Sequence, residues 1–170
     1  PEESASFLED KSKNKRDALI DTLLESEGYV SNFYNYWADI LRINRNLQQS
    51  GSDAEYAYRH WLKDSLRDNK PYDEIVRELV SARGKIWENG AVGYYQRDRG
   101  MPLDNMSNTV RVFLGVRLEC AQCHDHPFDK WTQMDYFQMA AFSHGYNTGD
   151  YGGENRQLAN QYGRELTVLS

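Results

Sequence analysis

The stretch YVSNFYNYWADILR at residues 29–42 decides the fold class of this chain. Large apolar side chains recur in it at Phe33, Tyr36, Trp37, Ile40 and Leu41. Steps of three and four residues place such side chains on one face of an α-helix. We therefore predict an amphipathic helix from about Tyr29 to Arg42, with this face turned toward a core.

The same spacing continues on both sides of the stretch. It predicts helices at about residues 15–25, 52–67, 71–84, 104–118 and 133–142, and a short acidic helix or turn that ends near Asp10. In the first of these we expect Ala18, Leu19 and Leu23 to share an apolar face. Residues 84–100 contain four glycines and are predicted to form a loop. Because no segment shows the alternation of a half-buried sheet, the predicted fold is all-α, an irregular bundle of about five to six helices.

Composition divides the chain into two parts. Residues 1–144 form the predicted helical domain. Residues 145–170 are rich in Gly, Asn, Gln and Tyr, and we expect an irregular tail or connector in which only Leu166–Leu169 is typical of a strand. The chain starts at Pro1 rather than at an initiator Met. We expect it to be a piece of a longer protein, with a helical domain that lacks its N-terminal part.

The composition also limits the function classes. Leu, Ile, Val and Phe make up 34 of 170 residues, whereas aromatic residues reach 13%. The core is therefore expected to be poor in aliphatic side chains, and a bound apolar group would help to fill it. A net charge of −6 gives no general basis for nucleic-acid binding. No apolar run is long enough to cross a bilayer, and two cysteines cannot build a disulfide framework.

Both cysteines lie in one pentapeptide, Cys120-Ala-Gln-Cys123-His124. Cys-x-x-Cys-His is the attachment signature of c-type haem. Thiols three residues apart on a helical turn lie on one side, where they can form thioethers with the two vinyl groups, and the adjacent imidazole can bind the iron. We predict one covalent haem c, held by Cys120 and Cys123, with His124 as the proximal iron ligand.

Three other interpretations of the pentapeptide stay open. Cys120, Cys123, His124 and His126 could be the ligands of a structural zinc ion, although zinc sites usually draw a second ligand pair from a distant part of the chain. A redox dithiol would favour a βαβ setting, which the sequence does not predict. A disulfide that encloses only two residues would stabilise little.

The residues around the pentapeptide resemble a known family. The run from Phe113 through Cys120-Ala-Gln-Cys-His-Asp-His-Pro-Phe-Asp129 to Gln133, followed by Asp135-Tyr-Phe137 and Ala140-Ala-Phe142, is similar to the planctomycete-type cytochrome C domain family, a bacterial group of unknown function. Upstream segments agree, among them Phe7-Leu-Glu-Asp10, Lys70-Pro-Tyr-Asp73 and Val76-Arg-Glu-Leu79. The similarity covers roughly residues 1–142.

The resemblance implies a covalent haem c in a large exported bacterial protein, often with further domains, and supplies no reaction. It implies that the partners are a redox protein or other domains of the same polypeptide. Because haem c is attached outside the cytoplasm, it also implies a periplasmic or cell-surface location. Family members usually carry more sequence before the equivalent of Pro1.

Further residues are candidates for the surroundings of the haem. A low-spin electron carrier needs a second axial ligand, for which the main candidates are Met139, His144 and Met106, with His60, His126, Met101 and Met134 behind them. His126 is predicted to hydrogen-bond a propionate or a neighbouring backbone group instead. Candidates for the pocket walls are Trp131 and Phe128, with Phe113, Tyr136, Phe137 and Phe142. Arg111, Arg117 and Lys130 are candidate partners of propionates, and Asp125 and Asp129 are expected to cap turns.

The leading hypothesis is a mono-haem c domain for electron transfer. The second is a haem enzyme or sensor with an open sixth coordination position, and the third is a zinc-binding interaction module. No motif for hydrolysis or phosphoryl transfer is present, so we favour an electron-transfer protein over a catalyst. Because haem binding and folding would be coupled, the chain without haem is expected to be the less stable form.

Overall fold

The computed structural model describes residues 2–44, 52–98 and 101–144. Within these ranges the chain forms eight α-helices and two 3₁₀-helices, and no strand. The α-helices are α1 (Glu2–Glu9), α2 (Lys15–Leu24), α3 (Glu27–Ile40), α4 (Ser52–Arg67), α5 (Tyr72–Val80), α6 (Gly93–Gln96), α7 (Pro102–Leu114) and α8 (Gln133–His144). The 3₁₀-helices are Gly90–Val92 and Glu119–Gln122. The all-α prediction is confirmed, but the predicted number of helices was too low. The predicted tail at 145–170 lies outside the described residues.

Helices α3, α4 and α5 enclose the first of two hydrophobic cores. Its buried members are Val30, Leu41, Tyr58, Leu62, Leu66, Ile75, Leu79, Ala82, Ala91, Val92 and Tyr94. The helix predicted at 52–67 is confirmed as α4, and its Tyr58 and Leu62 are fully buried. On α5, Leu79 is fully buried but Val80 lies at the surface. Two of these buried core residues are tyrosines, so aromatic rings fill space that aliphatic side chains usually occupy.

The predicted face of α3 is rotated relative to the observed one. Val30, Ala38 and Leu41 are buried, whereas Phe33 and Tyr36 are exposed. The small Ala38 is buried, and α3 packs against α4. The helical period was therefore predicted correctly, and the predicted burial of Leu41 is confirmed. The prediction was wrong for Phe33 and Tyr36, because it gave large rings priority over a small residue.

The predicted loop at residues 84–100 contains the Gly90–Val92 3₁₀-helix and α6. Two of its glycines are present for close packing against α4 rather than for a loop conformation. A Cβ at Gly90 would lie 2.4 Å from the carbonyl oxygen of Ala57, and one at Gly93 would lie 2.5 Å from Cβ of Tyr58. This part of the loop prediction was wrong, because the glycines permit the buried segment to touch the helix backbone.

Helices α1 and α2 bury none of their residues. The predicted core face of α2 is wrong, since Leu19 and Leu23 are 37% and 54% exposed. Asn14 directly precedes α2, but its side chain makes no capping hydrogen bond. Among the described helices, none is both long and apolar enough to cross a membrane.

The second hydrophobic core lies between α7 and α8. Its buried members are Met106, Val110, Leu118, Ala121, Tyr136 and Ala140. The predicted helix at 104–118 ends early, because Gly115 adopts a left-handed conformation with φ of 67° directly after Leu114. Such a glycine is a common helix stop. It turns the chain into the segment that carries both cysteines.

A buried ion pair connects the end of α3 to the start of α7. Asp98 is buried and accepts hydrogen bonds from Arg97 Nε at 2.8 Å and Arg42 Nη1 at 3.0 Å. Asn105 of α7 donates to the same carboxylate at 3.4 Å. Arg97 also donates to the carbonyl of Leu41 at 3.2 Å. This network ties the two cores together.

Candidate functional site

The Cys-x-x-Cys-His segment lies on the surface between α7 and α8. It forms the 3₁₀-helix Glu119–Gln122 rather than a turn of α-helix. Leu118 and Ala121 point into the second core and are fully buried, whereas Cys120 and Cys123 are exposed. The two apolar residues therefore anchor the segment and leave both free thiols at the surface.

His124 is an exposed histidine, and one contact sets the tautomer of its neutral ring. Its Nδ1 lies 2.6 Å from the carbonyl oxygen of Asp125. A carbonyl oxygen can only accept, so Nδ1 must carry the proton. In the neutral ring the lone pair is then on Nε2. A metal-binding histidine commonly has this arrangement, with its other ring N–H held by a carbonyl or carboxylate.

His126 has the opposite tautomer. Its Nδ1 accepts a hydrogen bond from the backbone N–H of Phe128 at 3.2 Å, so in the neutral ring the proton is on Nε2. Its own backbone N–H donates to the carbonyl of Trp131 at 2.8 Å. His126 therefore closes the loop that follows the cysteines, and its Nε2–H is a donor. These contacts fit the predicted role as a hydrogen-bond donor better than a role as a metal ligand.

Helix α8 holds this loop from the other side. Asp125 Oδ1 accepts from the backbone N–H of Gln133 at 2.8 Å, and Gln133 Nε2 donates to the carbonyl of Gln122 at 3.1 Å. The buried Tyr136 hydroxyl lies 3.1 Å from Ser107 Oγ of α7 and 3.4 Å from Gln122 Oε1. Asp125 was predicted to cap a turn beside His124 and Pro127, but its carboxylate accepts from the first N–H of α8.

The described residues contain no group of three or more His, Cys, Asp or Glu side chains that could hold a metal ion. The four candidate zinc ligands, Cys120, Cys123, His124 and His126, therefore do not converge as a ready-made metal cage. The Nδ1 lone pair of His126 is occupied by Phe128 N–H, which removes one of the four.

The profile of the family PSCyt2, described as a protein of unknown function (DUF1549), matches residues 1–148. The chain belongs to this family. PSCyt2 is a planctomycete cytochrome-associated domain of unknown function, so the resemblance seen in the sequence is confirmed at the level of the family. No curated protein and no solved structure matched the chain significantly.

In this PSCyt2 domain the predicted aromatic wall is spread over different places. Tyr136 lies inside the second core, and Trp131 and Phe137 pack at its edge. Phe113 packs against the first core instead. Phe128, at 93% exposed, stands free beside the pentapeptide, and Phe142 is also exposed. Among the described residues near the pentapeptide, these two aromatic rings are therefore exposed and do not enclose a pocket.

The candidates for the second axial ligand differ in accessibility. Met106 is 3% exposed and belongs to the second core. Met139 is half-buried at the edge of the same core, and the side chain of His144 lies outside what the structure describes. Of the candidate propionate partners, Arg111 is engaged by Asn108 and Glu119, whereas Lys130 lies over the Trp131 ring at 5.8 Å from its centroid.

Helix α8 begins with a capping box that was not predicted from the sequence. Thr132 Oγ1 accepts from Asp135 N–H at 3.1 Å, and Asp135 Oδ2 accepts from Thr132 N–H at 2.9 Å. These hydrogen bonds from Thr132 lower the pKa of the Asp135 carboxyl. The Thr-x-x-Asp spacing resembles the Ser/Thr-x-x-Glu signal of a helix start and could have located it.

Proposed function

We propose that this domain carries one covalently attached haem c and transfers electrons. Cys120 and Cys123 would form the two thioethers, and His124 would bind the iron through Nε2. The observation that supports this most directly is the pair of exposed free thiols next to a histidine whose Nε2 lone pair is left available by the Nδ1 contact to Asp125.

The residues present fit the chemistry of this group. Thioether formation needs two accessible thiols, and both cysteines are exposed. The axial bond needs a ring nitrogen with a free lone pair, and in the neutral ring the 2.6 Å contact at Nδ1 of His124 leaves that lone pair on Nε2. The flat apolar ring needs apolar neighbours, and the exposed ring of Phe128 beside the pentapeptide is available for that contact.

When bound, haem c supplies a one-electron couple between its ferrous and ferric states. The chain's own residues would hold the haem in place and shield it. Leu118 and Ala121 keep the thioether residues against the second core. His126, through its Nε2–H, would donate a hydrogen bond to a propionate. Lys130, exposed beside Trp131, would place a positive charge near the propionates.

Burial separates the candidates for the second axial ligand. Met106 would have to leave the second core to reach a haem that is attached to surface cysteines. Met139 lies at the edge of that core and needs a smaller movement. We therefore favour Met139 over Met106. If none of the candidate side chains binds, the sixth position is open, and the haem enzyme or sensor becomes the better description.

The proposal extends to location and partners. Since haem c is attached outside the cytoplasm, we propose a periplasmic or cell-surface location. The electron partner would be another redox protein or another domain of the same polypeptide. The family description assigns no function, so these points depend on the haem itself.

The direct test is expression in a host that matures c-type cytochromes. The wild-type chain is expected to keep its haem on a denaturing gel and to show a reduced-minus-oxidised cytochrome c spectrum. Cys120→Ser/Cys123→Ser is expected to lose the covalent haem completely. His124→Ala is expected to lose the axial bond and the low-spin spectrum.

Asp129→Ala is the matched control in the same loop, because its carboxylate accepts only from the neighbouring Lys130 N–H in the described contacts. It is expected to keep the haem. A wild-type chain without haem from such a host contradicts the proposal, and zinc without iron by elemental analysis would replace it with the structural zinc site. A high-spin spectrum that changes with cyanide would point to the enzyme or sensor.

A further inference from the structure

The peptide group between Asp125 and His126 is held at both ends. Its carbonyl oxygen accepts the 2.6 Å bond from His124 Nδ1. Its N–H donates to the carbonyl of Trp131 at 2.8 Å. Because the carbonyl and the N–H belong to one rigid plane, the contact to Trp131 also fixes the direction of the carbonyl that His124 meets.

The side chain of Asp125 connects this peptide group to the core. Its Oδ1 accepts from the backbone N–H of Gln133, the first residue of α8, at 2.8 Å. One helical turn further, Tyr136 anchors α8 in the second core. His124 is exposed, so packing contributes little to fixing its ring. Its orientation therefore depends on the chain from the Asp125 carbonyl through the Asp125 carboxylate to α8.

We propose that Asp125 is a positioning residue for His124. By binding the first N–H of α8, its carboxylate holds the 125–126 peptide so that the carbonyl keeps the proton of neutral His124 on Nδ1 and leaves Nε2 free for iron. The iron-binding part of this inference rests on the proposed function. The tautomer part does not, and it can be measured in the chain without haem.

Two different substitutions remove the hydrogen bond from the Gln133 N–H to the Asp125 carboxylate. Asp125→Ala removes the acceptor, and Gln133→Pro removes the N–H donor at a helix position where proline is tolerated. Both are expected to convert His124 from the single Nδ1-protonated form to a mixture of tautomers, whereas Asp125→Asn retains an oxygen acceptor and is expected to retain the single form. Gln133→Ala and Asp129→Ala are the controls and are expected to leave His124 unchanged.

The measurement is the ¹⁵N NMR spectrum of the histidine ring nitrogens in the haem-free chain. It is recorded about 1.5 units above the ordinary histidine pKa of ~6.5, so that the rings are neutral. The His124 signals are assigned by their loss in His124→Gln. Thr132→Ala is included because it weakens the start of α8 without touching Asp125, so a tautomer change there would show that general fraying of α8 is the cause and would overturn the proposal.

In the haem-loaded protein the same variants are compared by adding imidazole, which competes with His124 for the iron. Loss of the outer partner of a ligating histidine typically weakens metal binding by about 10–100-fold, so Asp125→Ala and Gln133→Pro are expected to require correspondingly less imidazole. A single Nδ1-protonated His124 in both variants overturns the proposal. If the wild-type chain binds no haem, the proposed function fails, and the tautomer comparison still decides the role of Asp125.

Discussion

At the scale of single residues, the buried carboxylate of Asp98 is expected to contribute strongly to the stability of the fold. It accepts from Arg97 and Arg42. The side chain of Arg97 is 1% exposed, so Asp98→Ala would leave its charge uncompensated. Breaking such a pair costs about 3–5 kcal/mol. We expect a loss of this size in the free energy of unfolding, measured by urea denaturation.

The control for Asp98 is Asp73→Ala, which removes an ion pair to Arg77 in which both side chains are more than two-thirds exposed. Exposed pairs contribute about 0–1 kcal/mol, so a change within about 0.5 kcal/mol is expected. Equal effects of the two substitutions would mean that the Asp98 network does not connect the two cores as described.

Gly93 and Gly115 provide a second pair of substitutions with different physical causes. Gly93→Ala would bring a Cβ to 2.5 Å from Cβ of Tyr58, and overpacking of this kind costs about 1–3 kcal/mol or more. Gly115→Ala meets no neighbour, and only its φ of 67° is unfavourable, with a cost of about 1–2 kcal/mol. Thermal unfolding is expected to show the larger loss for Gly93→Ala, and the reverse order would contradict the close packing of α6 on α4.

The three residues of the haem attachment signature could be named from the sequence alone, because the signature depends on spacing. The opposite tautomers of His124 and His126 could not. They depend on the directions of the Asp125 carbonyl and the Phe128 N–H, and those directions follow from the folded path of the loop. The same holds for Met106, whose burial depends on where α8 packs.

At the scale of secondary-structure elements, α8 depends on its Thr132–Asp135 capping box. The hydrogen bonds from Thr132 lower the pKa of Asp135 in the folded chain. A carboxyl with a lowered folded pKa stabilises the fold above its unfolded pKa, and this stabilisation is lost as the pH falls through the folded pKa. We therefore expect α8 to lose stability at a pH below about 4.

The acid dependence is measured as the change in unfolding free energy between neutral pH and acid. Asp135→Asn is expected to flatten it, while Asp129→Asn, outside the capping box, is the control. Thr132→Ala should cost about 1 kcal/mol at neutral pH. An acid dependence that is the same in wild type and Asp135→Asn would exclude the capping box as its source.

Helix α2 presents apolar residues without burying them, although its spacing predicted a core face. Leu23 and Leu24 are 54% and 52% exposed. Replacing both with Ser is expected to change the unfolding free energy by less than about 1 kcal/mol, because surface substitutions usually fall within about ±0.5 kcal/mol each. Leu62→Ala in the first core is the contrast and should cost about 2–5 kcal/mol. A comparable loss in the α2 variant would place these leucines in a core.

The elements show which parts of a fold such a sequence can predict. Helical period located α3, α4, α5, α7 and α8, because a repeat of three and four residues is a property of the chain alone. The face of each helix that is buried, and the element against which it packs, were predicted less well. Trp37 packs against the first core while its neighbour Tyr36 is exposed, and position 93 requires a glycine because Tyr58 leaves no room for a side chain. Both outcomes depend on neighbouring elements and not on the local sequence alone.

At the scale of the whole molecule, the shortage of aliphatic residues has a different solution from the one expected. Tyr58, Tyr94 and Tyr136 are fully buried and fill the two cores. Each core therefore closes with the chain's own aromatic residues. The free thiols lie outside the second core, at the surface. A haem attached there would cover that surface instead of filling a missing centre.

This changes the expected effect of haem on stability from a global one to a local one. A group attached at Cys120 and Cys123 would contact the loop and α8, and it would stabilise the states in which those segments are folded. We expect amide hydrogen exchange in residues 115–140 to slow by about tenfold or more on haem attachment, equivalent to ~1.4 kcal/mol or more. Exchange in α4 and α5, which surround the first core, should change much less. The comparison uses the wild-type chain with haem and the Cys120→Ser/Cys123→Ser chain without it. Equal slowing of amide exchange in residues 115–140 and in α4 and α5 would show that the haem stabilises the entire fold. The tyrosine-filled cores would then not form independently of the haem.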